Sequence, residues 1–128
     1  MAAGMTTMTR ERRHEPRVAE RVPLAIRDAS TELATETNNL SASGAYCTLD
    51  RFIAPMSKLQ LRFELPSQGH RSTSIRCAGV VVRVEPVISN PQQGCYRVAV
   101  LFTELAERDR EAIGRFVRRR LSASSSAH

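Results

Sequence analysis

Residues 58–65 read KLQLRFEL, and apolar side chains alternate strictly with polar ones along the whole stretch. Successive side chains of a β-strand point to opposite faces of a sheet, so this pattern predicts a strand with one buried face. The buried face carries Leu59, Leu61, Phe63 and Leu65. The chain therefore contains a half-buried strand, and the neighbouring segments indicate what it pairs with.

Similar short runs lie on both sides of this strand. They are RVPLAIR (21–27), ELATETNN (32–39), GAYCTL (44–49), STSIRCAGVVVRVEPV (72–87) and CYRVAVLF (95–102). Turn-forming clusters separate them, namely SASG (41–44), APMS (54–57), PSQGHRS (66–72) and SNPQQG (89–94). Several short strands at this spacing, without an intervening helix, predict a mostly β fold, an antiparallel barrel or sandwich.

The two ends of the chain differ from this strand-rich middle, which spans residues 22–104. Near the C-terminus, apolar residues recur at helical spacing, at Leu105, Ile113, Phe116, Val117 and Leu121. They predict one amphipathic helix over residues 105–121, packed on an open end of the barrel. Residues 10–21 read RERRHEPRVAER and predict a flexible, extended basic arm, because Pro16 disfavours a helix there. Residues 1–9 and 122–128 are expected to be disordered.

Composition limits the classes of protein that the chain can belong to. Its 128 residues fit one domain, and 19 Lys and Arg against 13 Asp and Glu give a net charge of +6. No apolar run approaches the roughly 18–20 residues that cross a bilayer, and the N-terminus has no apolar signal segment. Three cysteines without a CxxC motif read as reduced thiols. We expect a soluble cytoplasmic protein without membrane insertion.

The sequence contains no arrangement typical of catalysis or metal binding. No serine or cysteine lies in a nucleophile motif, and the phosphate-binding glycine loops are missing. The carboxylates are dispersed, mostly beside arginines, which suits solvated ion pairs. The three histidines are scattered without ligand spacing. We therefore expect neither an enzyme nor a resident cofactor or metal.

One candidate binding motif lies in the basic arm. Arg13 and Arg17 form RxxxR, and Arg12 comes directly before them. Guanidinium groups on a flexible arm can converge on phosphate oxygens when the arm folds over a ligand. A solvated run of charges is the alternative reading of the same residues.

A second candidate motif is NLSASG, residues 39–44. At the end of a strand, Asn39 and Ser41 would lie on one face, because their spacing is two residues. Gly44 would permit a close approach that a Cβ atom obstructs. Asn and Ser side chains suit the hydrogen-bonding edge of a purine, although a simple turn between strands explains the same sequence.

Taken together and in this order, the two motifs resemble those of the PilZ domain family of bacteria. That family has RxxxR followed by [D/N]xSxxG on a small antiparallel barrel of about six strands. The resemblance covers residues 10–121, and it implies binding of cyclic di-GMP, which contains two guanines and two phosphates. In the family, the positions of Arg13 and Arg17 hold phosphates and pack on guanine. The positions that match Asn39 and Ser41 contact a guanine in the family, and Gly44 matches the motif's glycine.

Two further positions bear on how the ligand would bind. An arginine just before RxxxR resembles the version of the family that accepts a stacked pair of ligand molecules, so Arg12 favours two per site. The GVVV strand often ends in an aromatic residue that stacks on a base, and here Arg83 occupies that place. A guanidinium group can also stack on a purine, so this departure is compatible with binding.

The resemblance also implies how a signal would leave the domain. We expect the arginine arm to become ordered over the ligand and to change the surface offered to an unidentified downstream protein. Two alternatives remain open at this stage. One is a PilZ-like protein-interaction module without nucleotide. The other is a basic barrel that binds nucleic acid through the run Arg118–Arg120, although few aromatic residues are available to stack on bases.

Overall fold

A computed structural model describes residues 16–66, 71–87 and 94–126 of the chain. Seven strands and one helix make up this part. They are β1 (Arg17–Val18), β2 (Pro23–Asp28), β3 (Thr31–Ser41), β4 (Gly44–Leu49), β5 (Lys58–Pro66), β6 (Ser72–Val87), β7 (Cys95–Glu104) and α1 (Glu107–Ser126). The predictions for residues 1–9, for Arg12 and Arg13 and for the last two residues lie outside the described residues.

The sheet closes on itself. Its strand order is β1-β3-β2-β5-β6-β7-β4, and β3 pairs with β4 as well. All of these pairings are antiparallel. Strands β2–β7 therefore form a six-stranded barrel, to which β1 adds a short edge beside β3. The predicted antiparallel barrel is confirmed.

The alternating residues that predicted the strands fill the interior of the barrel. Along β5, buried and exposed side chains alternate from end to end. The buried ones meet apolar residues of the neighbouring strands, as Phe63 pairs with Leu24 on one side and with Ile75 on the other. Burying a large apolar side chain contributes about 1.5–3 kcal/mol, so the four buried side chains of β5 contribute substantially to the barrel's stability.

Helix α1 packs against the barrel with its apolar face. Ile113, Phe116 and Val117 are fully buried there. The predicted bounds of 105–121 were inaccurate: the helix begins at Glu107 and continues to Ser126. Residues 122–126 were predicted to be a disordered tail, but they contain no glycine or proline to end the helix. In the described part of the chain, no helix combines the length and apolar character that crossing a bilayer requires.

The end of the basic arm is held on the barrel rather than free. Val18 and Val22 are buried, and Arg17–Val18 pairs with β3 as strand β1. The buried Thr37 hydroxyl accepts a hydrogen bond from the Val22 amide at 3.0 Å and donates one to the Glu20 carbonyl at 2.6 Å. The prediction of a flexible arm over residues 10–21 is therefore wrong for residues 17–21. The two buried valine side chains and the hydrogen bonds of Thr37 hold this segment on the barrel.

Candidate functional site

The turn between β3 and β4 carries the second sequence motif, and Ser41 organises it. This side chain is fully buried. Its hydroxyl accepts a hydrogen bond from the Ser43 amide at 3.2 Å and lies 3.4 Å from the Gly44 carbonyl, to which it donates. The structure thus places Ser41 inside the turn, where it fixes the backbone of residues 41–44.

Gly44 lies at a close contact between two strands. A Cβ atom built on Gly44 would overlap the carbonyl oxygen of Val100 on β7. Real carbon atoms do not approach a carbonyl oxygen so closely, so any other residue would push β4 away from β7. The close approach of β4 to β7 therefore requires a residue without a Cβ atom at this position of the motif, as the sequence predicted. Gly44 allows the turn to pack closely against β7.

The two sequence motifs meet where β1 lies beside β3. Arg17 is directly opposite Ser41 in this pairing. The Nη1 atom of Arg17 donates a hydrogen bond to Oδ1 of Asn39 at 3.4 Å. The guanidinium carbon of Arg17 also lies 5.4 Å from the centre of the Tyr46 ring, within the range of a cation–π contact. An exposed cation, an amide and a phenol ring thus converge on one surface.

This surface continues across three further strands as a single row. Asn39 on β3 is opposite Tyr46 on β4, which is opposite Ala99 on β7, and Ala99 is opposite Arg83 on β6. Residues directly opposite each other point to the same face of a sheet. Neighbouring strands are about 4.8 Å apart, so Tyr46 and Arg83 are separated by about 10 Å with only an alanine between them. The row forms a floor with a ring at one end and a guanidinium group at the other, and Ala99 between them is buried.

Sequence reasoning found Asn39 and Arg83 but missed Tyr46 and Ala99. The alternation in GAYCTL places Tyr46 on the face opposite Cys47. The sequence therefore did indicate which face of the strand carries Tyr46. Ala99 has no sequence signal of its own, because its role depends on the register between β4, β7 and β6. A register shift between Val81 and Arg83 sets that register on β6. Arg83 is exposed and lies on the same face as Asn39.

Helix α1 also contacts the turn of residues 41–44, which carries the second motif. Nη1 of Arg110 donates a hydrogen bond to the carbonyl oxygen of Ala42 at 3.0 Å. Near the other end of the helix, Arg120 forms an ion pair with Glu20 at 3.7 Å and lies 5.1 Å from the Phe116 ring centre. The helix is thus linked to the two chain segments that carry the motifs.

Cys47 and Cys77 have thiols that are buried in the barrel. Burial raises the pKa of the Cys47 thiol from 9.0 to about 12. Burial and the nearby Asp109 carboxylate raise the pKa of Cys77 to about 11. Both thiols are therefore protonated near neutral pH and are poor nucleophiles. Among the described residues, no group of three or more potential metal ligands comes together.

Comparison with known families and structures gives matches to one family. The model of the PilZ domain matches residues 11–119. No curated protein matches the sequence significantly. The fold superposes on the inhibitor of motility MotI/DgrA from Bacillus subtilis with a TM-score of 0.75 and 21% identity, covering 86% of this chain and 51% of that one.

Two further solved structures are similar. MrkH from K. pneumonia in its apo state gives a TM-score of 0.72 at 14% identity, over 91% of this chain and 53% of that one. The PilZ domain of YcgR from Escherichia coli with c-di-GMP gives 0.66 at 14% identity, over 91% of this chain and 97% of that one. The chain spans about half the length of MotI/DgrA and MrkH. At these identities, the likeness establishes the fold.

Proposed function

Because the chain belongs to the PilZ domain family, we propose that it is a receptor for cyclic di-GMP and not an enzyme. The observation that carries the proposal is the contact between Arg17 of the first motif and Asn39 of the second, beside the Tyr46 ring. The similar structures of YcgR, MrkH and PlzA that contain c-di-GMP support the same ligand.

The chemistry of the row matches the chemistry of the ligand. Arg17 offers charge-assisted hydrogen bonds to a phosphate, each worth about 1.5–3 kcal/mol. The Asn39 amide can pair with the edge of a guanine. The floor between Tyr46 and Arg83 suits a flat base, because a phenol ring and a guanidinium group both stack on purines.

The number of ligand molecules and the motion of the arm are finer parts of the proposal. Micromolar binding needs a net free energy of roughly −8 kcal/mol, so several contacts must act together. Arg12 and Arg13 would add guanidinium groups to the phosphates of a stacked pair. We propose that the segment 10–15 closes over the ligand and changes the surface presented to a downstream protein.

A nucleic-acid role is less well supported by the described residues. Of the run Arg118–Arg120, Arg120 is already engaged by Glu20 and Phe116. A bacterial cytoplasmic location is part of our proposal, because free cysteines fit a reducing compartment.

The proposal is tested by calorimetric titration of cyclic di-GMP, with GTP as a ligand control. We expect saturable binding near two ligands per chain, weakened at least ten-fold in Arg17→Ala. Arg115→Ala removes an equally exposed arginine from the helix and should bind as the wild type does. A measured stoichiometry of one ligand per chain would overturn the proposal of a stacked pair but not the proposal of a receptor. Absence of binding, or equal weakening in both variants, would overturn the receptor assignment.

A further inference from the structure

A second basic surface lies on the outer face of β2, β5 and β6. Arg62 on β5 is directly opposite Arg76 on β6, and on its other side it is opposite Ala25 on β2. Arg27 lies two residues further along β2, so it is a diagonal neighbour of Arg62. We call Arg27, Arg62 and Arg76 the arginine face.

Two of these three arginines are uncompensated. Directly opposite residues in an antiparallel pair have Cβ atoms about 4.5–5.5 Å apart, and like charges there are destabilising. Arg27 has a partner, since its Nη2 atom lies 3.0 Å from Oε1 of Glu32. Within the part of the chain that the structure describes, the side chains of Arg62 and Arg76 make neither an ion pair nor a hydrogen bond. The barrel therefore holds two arginines without an ionic partner directly opposite each other on β5 and β6.

The surface between these arginines is concave. A depression of about 220 Å³ lies there, lined by the three arginines together with Ala25, Gln60 and Glu32, whose carboxylate is paired with Arg27. Ala25 is small, so it leaves the side of Arg62 open to an incoming group. The depression has room for a few carboxylate groups, and the Gln60 amide adds a hydrogen-bonding group.

The arginine face is separate from the candidate nucleotide site. In the closed strand order, β2 and β5 lie across the barrel from β7 and β4. Both surfaces include β6, but Arg76 and Arg83 are seven residues apart on that strand, which is about 23 Å at 3.3 Å per residue. None of the residues in the row from Asn39 to Arg83 belongs to the arginine face. A protein bound at the arginine face would therefore leave the nucleotide site free, and the two surfaces can be tested independently.

We propose that the arginine face docks an acidic segment of a partner protein, with carboxylates of that segment bound by Arg62 and Arg76. A guanidinium fork matches the two oxygens of a carboxylate. Glu32 and Glu64 are exposed near these arginines, Glu64 accepting a hydrogen bond from Ser72 at 3.0 Å. These carboxylates would repel a continuous polyanion such as nucleic acid. A protein segment can place its own polar or basic groups next to them.

The test is a titration of the ¹⁵N-labelled protein with a ten-residue peptide in which Glu alternates with Ser, followed by NMR. We expect the largest amide shifts in residues 24–27, 60–62 and 75–78. The double variant Arg62→Gln/Arg76→Gln should bind at least ten-fold more weakly. The matched control Arg115→Gln/Arg119→Gln removes the same charge from exposed helix positions and should retain wild-type affinity.

Three results would overturn this proposal. The first is equal weakening in the control variant, which would show attraction by net charge alone. The second is a set of shifts located outside the arginine face. The third is tighter binding of a single-stranded DNA decamer to the same amides, which would show a nucleic-acid surface. In parallel, the Arg62→Gln/Arg76→Gln variant should bind cyclic di-GMP as the wild type does, so failure of the nucleotide proposal would be visible separately.

Discussion

Arg17 donates a hydrogen bond from Nη1 to Oδ1 of Asn39 at 3.4 Å, although 22 residues separate them in the chain. The contact exists because β1 pairs with the end of β3, where Arg17 is opposite Ser41. It is exposed, so it contributes little to folding. We interpret it as a contact that holds in position the two groups that we propose to bind the ligand.

Replacing Arg17 by alanine should therefore affect binding far more than stability. Loss of a charge-assisted hydrogen bond costs about 1.5–3 kcal/mol, so the Kd for cyclic di-GMP should rise about 10- to 150-fold. Calorimetry measures the Kd, and urea unfolding should show a change below about 1 kcal/mol. A large loss of stability with unchanged affinity would contradict this assignment.

Alternation along KLQLRFEL and its neighbours predicted the strands and their buried faces, but it left a barrel and a sandwich open, and the resemblance to the PilZ family favoured the barrel. The sequence also identified Arg17, Asn39 and Gly44 through local motifs. It could not predict that Arg17 and Asn39 touch, since that contact depends on the pairing of β1 with β3. The rest of the row also depends on strand register, because Ala99 belongs to the row only through its positions opposite Tyr46 and Arg83.

Gly44→Ala should destabilise the barrel. The added Cβ atom would meet the Val100 carbonyl oxygen, and forcing β4 from β7 should cost about 1–3 kcal/mol. Gly94→Ala is the matched control, because a Cβ atom there would have nothing within 4 Å. Urea unfolding of both variants tests the difference. Equal stabilities of the two variants would show that the strands adjust at no cost.

Arg110→Met should loosen the motif turn. The substitution keeps a long side chain but removes the hydrogen bond to the Ala42 carbonyl. We expect faster amide hydrogen exchange in residues 41–44, because the turn loses its contact with the helix. The free energy of unfolding should fall by about 0.5–1.5 kcal/mol. Arg108→Met, in the same helical turn but at an exposed position, is the control and should leave this exchange unchanged.

Alkaline pH should destabilise the fold through its buried thiols. In the unfolded chain these thiols titrate near their ordinary pKa of 9.0, whereas in the barrel the pKa is about 12 for Cys47 and about 11 for Cys77. Above pH 9 the folded state therefore binds more protons than the unfolded state, and the free energy of unfolding falls as pH rises. The slope is at most about 1.4 kcal/mol per pH unit for each thiol.

Urea unfolding between pH 8 and pH 10.5 measures this slope. Cys47→Ala should make it shallower, even though the variant is less stable overall because it leaves a cavity. Val98→Ala also leaves a cavity in the core but removes no titratable group, so it should keep the slope of the wild type. An identical slope in all three proteins would assign the alkaline loss of stability to other groups.

Arg76→Glu should stabilise the barrel while removing the surface that we assign to a partner. The substitution replaces two like charges directly opposite each other on β5 and β6 by an ion pair between Arg62 and the introduced carboxylate. Cross-strand pairs of this kind change stability by about 0.2–1 kcal/mol, so urea unfolding at low salt should show a gain of that size. Salt should reduce the gain, because exposed charges are screened within about 10 Å at 0.1 M. Arg76→Gln removes only the repulsion and should give a smaller gain.

A loss of stability in Arg76→Glu would mean that Arg62 and Arg76 do not repel each other in the folded protein. The reason for treating their pairing as a functional surface would then be gone.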